Sequence, residues 1–291
     1  MRGRGLSQGK RFGIAAILLL VAALVAVWVI GADLCRAHNH ATQMPANLVV
    51  EAVTFPSVSG STIHGWLAAS VTNRGVVVLQ HGVRSDKTTL VTRAQMLKAA
   101  GYAVLMFDFQ AHGESPGARI IFGHLESLDS RAAVAFVKQR FPGKPVGVLG
   151  VSMGAAAAAL ARPALEVQAL VLEMVYPTIE EATKDRIEIR LGRFARCLSP
   201  LLTLQLPLRI GCRVGDLQVV DAVGKIGVPK LFMAGTEDRD TKFAEAGEIF
   251  NRAAAPKQFA PFVGARHQDL LAFSPAQYSS LVLNFFNTFL Q

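Results

Sequence analysis

The apolar residues of this chain form one long run and then a series of short ones. Residues 12–30 contain no charged side chain over nineteen positions. Beyond residue 47 the apolar runs are five to seven residues long, and they alternate with segments whose apolar residues recur every three or four positions. Short runs are typical of buried strands, and the three-to-four spacing is typical of helices packed on one side. The pattern predicts one long apolar helix followed by alternating strands and helices.

Eight of the short runs are predicted as strands. The first two, 49–55 and 62–68, are separated by Ser57-Val-Ser-Gly60 and form a hairpin. The others are 75–80, 102–107, 145–150, 169–173, 229–234 and 258–263, with helices at 87–100, 129–140, 155–159, 242–254 and 275–290. This alternation predicts an α/β fold with a doubly wound, mostly parallel sheet.

The apolar run at 12–30 is long enough to cross a membrane. Its nineteen residues make a helix of about 28 Å, close to the roughly 30 Å hydrocarbon core of a bilayer. We expect an uncleaved signal anchor with a cytoplasmic amino terminus, because the run is preceded by basic residues and no acid. Those basic residues are Arg2, Arg4, Lys10 and Arg11. The alternative is a signal peptide cleaved near Val29 and Gly31, which would yield a secreted protein.

Charge and cysteine content narrow the class of protein. The net charge of +9 falls to +5 without the four basic residues of the tail. The excess is densest at 184–213 but lacks a pattern of interleaved aromatic residues, so we expect no nucleic-acid partner. The chain has no Cys-x-x-Cys pair and its seven histidines are dispersed, so no metal site is predicted. We hypothesise that Cys197 and Cys212 form a disulfide in an exported protein, with two buried thiols as the alternative.

A Gly-x-Ser-x-Gly sequence at 150–154 joins the predicted strand 145–150 to the alanine run 155–159. A sharp strand-to-helix turn strains the backbone of its central residue, and the neighbours must then lack side chains. Such a turn lifts the Ser152 hydroxyl off the end of the sheet and leaves the Met153 amide at a helix N-terminus. The sequence therefore predicts Ser152 as a nucleophile and the Met153 amide as an oxyanion donor.

A serine nucleophile needs a base, and the base needs an orienting carboxylate. His267 lies just past the last predicted strand, at the carboxyl edge of the sheet where such sites assemble. Asp238 follows the preceding strand at the same edge, although Asp240 or Glu237 could replace it. Ser152, Asp238 and His267 occur in the chain order that this architecture requires. The plainer alternatives are a helix cap for Asp238 and a surface histidine for His267.

The turn His81-Gly82-Val83 follows the buried strand 75–80. Glycine at its centre lets the backbone approach a substrate. The amide of Val83 would be the second oxyanion donor, opposite that of Met153, unless this is an ordinary strand-ending turn.

Five motifs in combination resemble those of the α/β-hydrolases of the serine-aminopeptidase and monoacylglycerol-lipase-like branch. They are Gln80-His-Gly-Val83, Asp108-Phe-Gln-Ala-His-Gly-Glu-Ser115, Gly150-Val-Ser-Met-Gly154, Gly235-Thr-Glu-Asp238 and Gly264-Ala-Arg-His267. The resemblance implies an eight-stranded sheet with its first two strands antiparallel, and serine hydrolase chemistry without metal or cofactor. It implies no catalytic role for His112. Gln110 departs from the family pattern, because many relatives have a basic residue there.

The activity implied by this resemblance is hydrolysis of a carboxylic ester, or a related acyl bond, in a small-molecule substrate. Ser152 would form an acyl-enzyme while His267, oriented by Asp238, transfers the protons. The amides of Val83 and Met153 would stabilise the oxyanion.

Two other functions stay open on the same sequence. An aminopeptidase or amidase would use the same triad, and a peptidase would need an acid for the substrate amine, with Glu173 the nearest candidate. A non-catalytic, membrane-tethered binding module would keep the fold without the chemistry.

The predicted organisation has two parts. Residues 1–46 are a basic cytoplasmic tail, a membrane anchor and a polar tether, and residues 47–291 are the hydrolase domain on the extracytoplasmic side. A lid is predicted at about 176–225, with Pro200 and Pro207 breaking it into short helices. Its apolar residues are Leu198, Leu201, Leu202, Leu204, Leu206, Leu208 and Ile210. They form either an acyl-binding wall over the nucleophile or a face that buries itself on the sheet.

Overall fold

The computed structural model describes residues 8–70, 72 and 74–291. Arg2 and Arg4 of the predicted basic tail lie outside the described residues. Within them the chain forms ten strands: β1 (His38–Asn39), β2 (Glu51–Pro56), β3 (Thr62–Ala68), β4 (Val76–Gln80), β5 (Ala103–Phe107), β6 (His112–Gly113), β7 (Val146–Val151), β8 (Ala169–Glu173), β9 (Lys230–Gly235) and β10 (Lys257–Phe262).

Eight of these strands form one sheet in the order β10-β9-β8-β7-β4-β5-β3-β2. Strands β2 and β3 pair antiparallel, β3 pairs antiparallel with β5, and the remaining pairs are parallel. The predicted mostly parallel, eight-stranded sheet is therefore confirmed. The parallel strands end at a common carboxyl edge, where loops from separate parts of the sequence meet.

Helices cover both faces of the sheet and leave β4, β5, β8 and β9 fully buried. One core contains residues of α3, α4, α8 and α9, and the core on the opposite face contains residues of α2 and α11. The helices are α1 (Gln8–Leu34), α2 (Val91–Ala99), α3 (His124–Arg140), α4 (Met153–Leu160), α5 (Ile179–Leu191), α6 (Ser199–Thr203), α7 (Leu206–Ile210), α8 (Val219–Ala222), α9 (Phe243–Arg252), α10 (Leu270–Phe273) and α11 (Pro275–Phe289). Short 3₁₀ turns occur at Lys87–Leu90, Arg193–Leu198, Val214–Leu217 and Val223–Lys225.

Two predicted helices begin elsewhere than expected. The helix predicted from residue 87 starts as a 3₁₀ turn, capped by the Asp86 side chain, and becomes α-helical at Val91. Helix α3 starts at His124, five residues before its predicted start. The Glu126 carboxylate accepts the Gly123 amide at 2.9 Å, and this contact closes the first turn of α3. Caps and 3₁₀ turns leave no hydrophobic periodicity in the sequence, so the pattern alone places the first boundary too early and the second too late.

The segment predicted as a tether is docked on the domain. Helix α1 continues to Leu34, and β1 then pairs in parallel with β6. Cys35 is buried, and Thr42 accepts a hydrogen bond from the Lys87 ammonium at 2.8 Å. Helix α1 is long and apolar enough to cross a membrane, and its most apolar stretch of 18 residues has no buried residue. A signal sequence has the same pattern.

The segment predicted as a lid lies between β8 and β9 and contains α5 to α8. Pro200 and Pro207 occupy the first turns of α6 and α7, as predicted. The disulfide hypothesised between Cys197 and Cys212 is wrong, because both are free thiols. Cys212 is buried in the core, whereas Cys197 is exposed and donates to the Phe194 carbonyl at 3.2 Å.

Candidate active site

Ser152 lies in the turn between β7 and α4, where the Gly-x-Ser-x-Gly pattern places it. Its φ of 52° and ψ of −111° are strained for a residue with a Cβ. A Cβ at Gly150 would lie 2.5 Å from Ala155 N, and one at Gly154 would lie 2.5 Å from Gln80 O. The turn can close this tightly only because both flanking positions are glycine.

Asp238 and His267 lie on the loops after β9 and β10, which are neighbours in the sheet. Asp238 Oδ2 accepts from His267 Nδ1 and from Thr241 Oγ1, each at 2.8 Å. Burial opposes ionisation of Asp238, but the hydrogen bonds from His267 and Thr241 outweigh it and hold the pKa of Asp238 below its ordinary value. The ionised carboxylate keeps the proton on Nδ1, which leaves Nε2 of His267 free to act as a base.

The two other acids considered at this position are engaged elsewhere. Asp240 lies within 4.8 Å of the Asp238 and His267 ligand atoms, but it forms an ion pair with Arg186 at 2.5 Å. Glu237 is exposed, 4.0 Å from Arg266. Of the three acids, Asp238 is the one that is hydrogen-bonded to the His267 ring.

No hydrogen bond joins Ser152 to His267 in the described part of the chain. Among the hydrogen bonds of the described residues, those of the His267 ring go to Asp238 and Thr241, and none reaches the Ser152 hydroxyl. Ser152 is 6% exposed and the His267 side chain 19% exposed. Catalytic hydrogen bonds of this kind often tighten only when substrate is bound.

The two predicted oxyanion donors lie at chain positions where the amide has no internal acceptor. Met153 is the first residue of α4, and the first amides of a helix lack an intrahelical partner. The backbone at Gly82 passes close to the nucleophile, because a Cβ added there would lie 3.7 Å from Ser152 Cβ. In the described part of the chain, neither the Val83 nor the Met153 amide donates to a loop or turn acceptor.

His81, the residue before this glycine, is a buried structural histidine. Its Nε2 accepts the Phe109 amide at 3.1 Å, so its Nδ1 carries the proton and donates to the Gly82 carbonyl at 2.7 Å. Both ring nitrogens are used, and the ring is neutral. His81 therefore fixes the backbone that carries the candidate oxyanion donor.

His112 supports the same loop from the other side. Its Nε2 accepts the Arg84 amide at 3.2 Å, and its Nδ1 donates to the Gln110 carbonyl at 2.9 Å. The Arg84 amide follows Val83 directly, so this bond orients the peptide next to the donor. Sequence analysis missed both supporting histidines, because each accepts an amide 28 residues away.

Because His81 and His112 are buried in the neutral form, we expect the protein to lose stability towards unfolding in acid. Burial lowers the pKa of His81 to about 4 and that of His112 to about 3. An unfolded histidine titrates near pH 6.5. Below that pH the unfolded chain binds protons that the folded chain does not, so both groups lower the free energy of unfolding as the pH falls. At 1.36 kcal/mol per pKa unit, the complete effect is roughly 3 kcal/mol for His81 and roughly 5 kcal/mol for His112.

The measurement compares wild type with His112→Gln by urea unfolding in detergent at pH 7 and pH 4.5. Glutamine keeps a neutral side chain with an acceptor. Burial raises the pKa of Glu126 to about 7 and that of Glu245 to about 8, and their titration acts in the opposite sense. The difference between the two proteins isolates the histidine. We expect wild type to lose more stability than the variant, and equal losses would contradict this role of His112.

The loop from Asp108 is held by a buried lysine. Lys87 is fully buried, and its ammonium pairs with Asp108 at 2.5 Å and Glu114 at 2.6 Å. The ammonium also lies 4.7 Å from the centre of the Trp66 ring. If the loop moved away, the buried Lys87 ammonium would lose its partners and remain as an uncompensated charge, which is costly. The ion pairs therefore hold the loop from Asp108 in place beside the site.

Glu173, the acid considered for binding a substrate amine, is occupied. It is fully buried and pairs with Arg93 at 2.7 Å. Tyr278 donates to its other oxygen at 2.8 Å. The residue supports the interior of the domain, so it is not available to a substrate.

The described residues contain two clusters of three possible metal ligands. One is Asp238, Asp240 and His267, and the other is Glu181, Asp185 and Glu245. Basic side chains already neutralise both: Arg186 pairs with Asp240 at 2.5 Å, and Lys242 pairs with Asp185 at 2.8 Å. They are ion-pair clusters of the site and the lid.

The lid matches neither of its two predicted arrangements completely. Leu206 and Ile210 are buried in the core, as expected for a lid that covers the sheet. Leu201, Leu204 and Leu208 are exposed. Part of the apolar surface therefore faces away from the domain.

The sheet order and the strand-to-helix serine turn are those of the α/β-hydrolase fold. Residues 71–213 match the family model described as serine aminopeptidase, S33. The chain is 40% identical over 86 residues to the monoacylglycerol lipase of Mycolicibacterium smegmatis, covering 28% of this chain and 30% of the relative. The predicted resemblance to the serine-aminopeptidase and monoacylglycerol-lipase branch is confirmed.

Two longer matches extend over most of the domain. The chain is 25% identical over 212 residues to the uncharacterized protein YqkD of Bacillus subtilis, covering 71% of this chain and 69% of the relative. The esterase Pf2001 of Pyrococcus furiosus has the same fold, with a TM-score of 0.70 at 22% identity, covering 87% of this chain and 98% of that structure. This structural likeness supports the fold.

Proposed function

We propose that the protein is a serine hydrolase that cleaves carboxylic esters through an acyl-enzyme on Ser152. The observation that carries this proposal is the 2.8 Å bond between Asp238 and His267 at the sheet edge that also presents the strained Ser152. The backbone strain at Ser152 has a use in this chemistry, because it exposes the hydroxyl above the helix N-terminus.

The reaction proceeds in two halves. Nε2 of His267 takes the Ser152 proton as the oxygen attacks the acyl carbon, and the same proton then passes to the leaving alcohol. Water, deprotonated by the same nitrogen, releases the acid and restores the serine. The amides of Val83 and Met153 stabilise the oxyanion in both halves, and each donor typically contributes about 2.7–4 kcal/mol.

An ester substrate fits this site better than a peptide with a free amino terminus. The residue considered for binding an amine, Glu173, is paired with Arg93 and Tyr278 inside the domain. The structural neighbours include several esterases. The non-catalytic alternative would not require the strained serine turn and the oriented histidine together.

We also propose that residues 12–30 anchor the chain in a membrane, with residues 47–291 outside the cytoplasm. The support is the apolar run 12–30 of the unburied helix α1, which is preceded by basic residues, including Lys10 and Arg11. The docked segment 35–46 joins the anchor to the domain through β1, so the domain would be held close to the bilayer surface.

The experiment that tests the hydrolase proposal is labelling of the full chain with a fluorophosphonate probe, followed by mass mapping of the adduct. We expect one adduct, on Ser152. Matched acetyl esters and amides are then compared as substrates, and we expect faster turnover of the esters. A folded protein that takes no label, or that cleaves amides but not esters, would contradict the proposal.

A further inference from the structure

Residues 199–210 form a nearly continuous helical segment with two apolar faces. Helices α6 and α7 are joined by Leu204 and Gln205, both in right-handed helical conformation. At 100° per residue, Leu201, Leu204 and Leu208 fall within an arc of about 60°. We call this arc the outer leucine face. The buried residues of the segment lie about 180° away, and they are Ser199, Thr203, Leu206 and Ile210.

The outer leucine face is strongly exposed. Leu204 is 73% exposed and Leu208 80% exposed, while the opposite face of the same segment is buried in the domain. Large apolar side chains grouped on one helix face mark a contact with a partner or a membrane. The exposed Leu191 and Phe194 belong to the preceding part of the lid.

The flank of the segment next to the outer leucine face touches helix α1. Gln205 and Arg209 lie about 40° and 80° beyond Leu201 around the helix, next to the outer leucine face. The side-chain amide of Gln205 donates from Nε2 to the Val27 carbonyl at 3.3 Å. The Arg209 guanidinium lies 3.9 Å from the centre of the Trp28 ring and donates to the Trp28 carbonyl.

These contacts fix the depth of the segment along α1. Val27 and Trp28 lie within the last turn of the apolar run 12–30, about 3–5 Å inside its end. If that run fills the hydrocarbon core, the contact level is the boundary between acyl chains and headgroups. The leucines beside Gln205 then stand at the height of the lipid, rather than above it.

The charges around this junction match a lipid surface. A groove of about 420 Å³ lies where α1 ends, and its lining includes Arg36, Arg119 and Arg209 together with Asp33. Three guanidinium groups against one carboxylate favour anionic headgroups at this level. The position of Trp28 is also typical of the interface between hydrocarbon and headgroups.

We propose that the outer leucine face is inserted into the outer leaflet of the membrane beside α1. The proposal rests on the membrane anchor proposed above, and it adds that the lid itself lies in lipid. The α6–α7 segment is then a bridge, with one apolar face on the domain and the other in the bilayer. The molecules that cover the outer leucine face are phospholipids. The competing outcome of the test is that a second copy of this chain covers it.

The test places a fluorescent probe on the full-length chain in vesicles of phosphatidylcholine and phosphatidylglycerol. Leu204→Cys is labelled in a Cys197→Ser background, because Cys197 is the exposed native thiol. Val49→Cys is the matched control. Val49 is 84% exposed, and it precedes β2 at the amino-terminal edge of the parallel strands, opposite the candidate site.

We expect lipids brominated on the acyl chain to quench the Leu204 probe at least threefold more than the Val49 probe. Iodide in water should give the reverse order. If the chain floats with the vesicles but iodide quenches both probes equally, the lid placement is overturned while the anchor stands. A probe shielded from iodide but not quenched by brominated lipid, with cross-linking between copies, also overturns it.

A chain that does not float with the vesicles overturns both the anchor and the lid placement. Fluorophosphonate labelling depends on neither, so failure here is distinguishable from failure of the hydrolase proposal. As a second readout, Leu204→Glu with Leu208→Glu should lower turnover of a long-chain ester in vesicles about tenfold. Turnover of a water-soluble acetyl ester should stay within twofold, and equal losses on both esters would contradict the proposal.

Discussion

Replacing Ser152 by alanine is expected to lower ester hydrolysis by roughly 10⁴–10⁶-fold, the range seen when a member of such a triad is removed. The change deletes the attacking oxygen but keeps the Cβ that the strained turn already accommodates. The glycines at 150 and 154 still allow the turn to close. The variant should therefore fold, and its loss should appear in kcat rather than in the amount of soluble protein.

The control is Ser85→Ala, which removes a partly exposed hydroxyl bonded to Thr89 in the loop that follows Val83. We expect this variant to keep its fluorophosphonate label and most of its activity. Circular dichroism checks that both variants are folded. Persistent labelling of the folded Ser152→Ala protein would show that another residue is the nucleophile.

The parts of the fold that sequence predicts best are those set by local pattern. The central strands are buried on both faces and have the apolar runs expected of them. The turn at Ser152 is specified within five residues, since the positions of Gly150 and Gly154 follow from steric contacts inside the turn and with the adjacent strand. The pairing of Asp238 with His267 could be predicted because the carboxyl ends of parallel strands share one edge.

The supporting residues could not be predicted, because their partners are distant in the sequence. Lysine is usually a surface residue, yet Lys87 is buried between Asp108 and Glu114. Its burial depends on a loop about twenty residues away, which only the folded chain brings near. Such pairs leave no periodic signal.

In the lid, the sequence does not show which face of a helical segment packs on the domain. Composition identifies Leu201, Leu204, Leu206, Leu208 and Ile210 as apolar, but it does not say which of two faces meets the domain. Helix geometry separates them: the exposed and buried sets lie on opposite sides of one segment. The disulfide hypothesis failed for the same reason, since sequence spacing does not show which way a side chain points.

Replacing Asp238 by asparagine is expected to lower kcat by roughly 10⁴-fold, with little effect on folding. Asparagine keeps the oxygen that accepts the amides of Asp240 and Thr241. Its NH₂ group would face His267 Nδ1 in place of a carboxylate oxygen. That contact favours the tautomer with the proton on Nε2, and the base nitrogen is then unable to accept the serine proton.

Asp240→Asn is the matched control, since Asp240 lies two residues away and forms a partly exposed ion pair with Arg186 at 2.5 Å. We expect this variant to retain activity within about threefold, because exposed ion pairs contribute little. Steady-state kinetics on one soluble ester, with thermal unfolding measured in parallel, separates the two effects. If Asp240→Asn were the more damaging change in folded protein, the acid of the triad would be Asp240, and Asp238 would act as the loop cap that its contacts with Thr241 also allow.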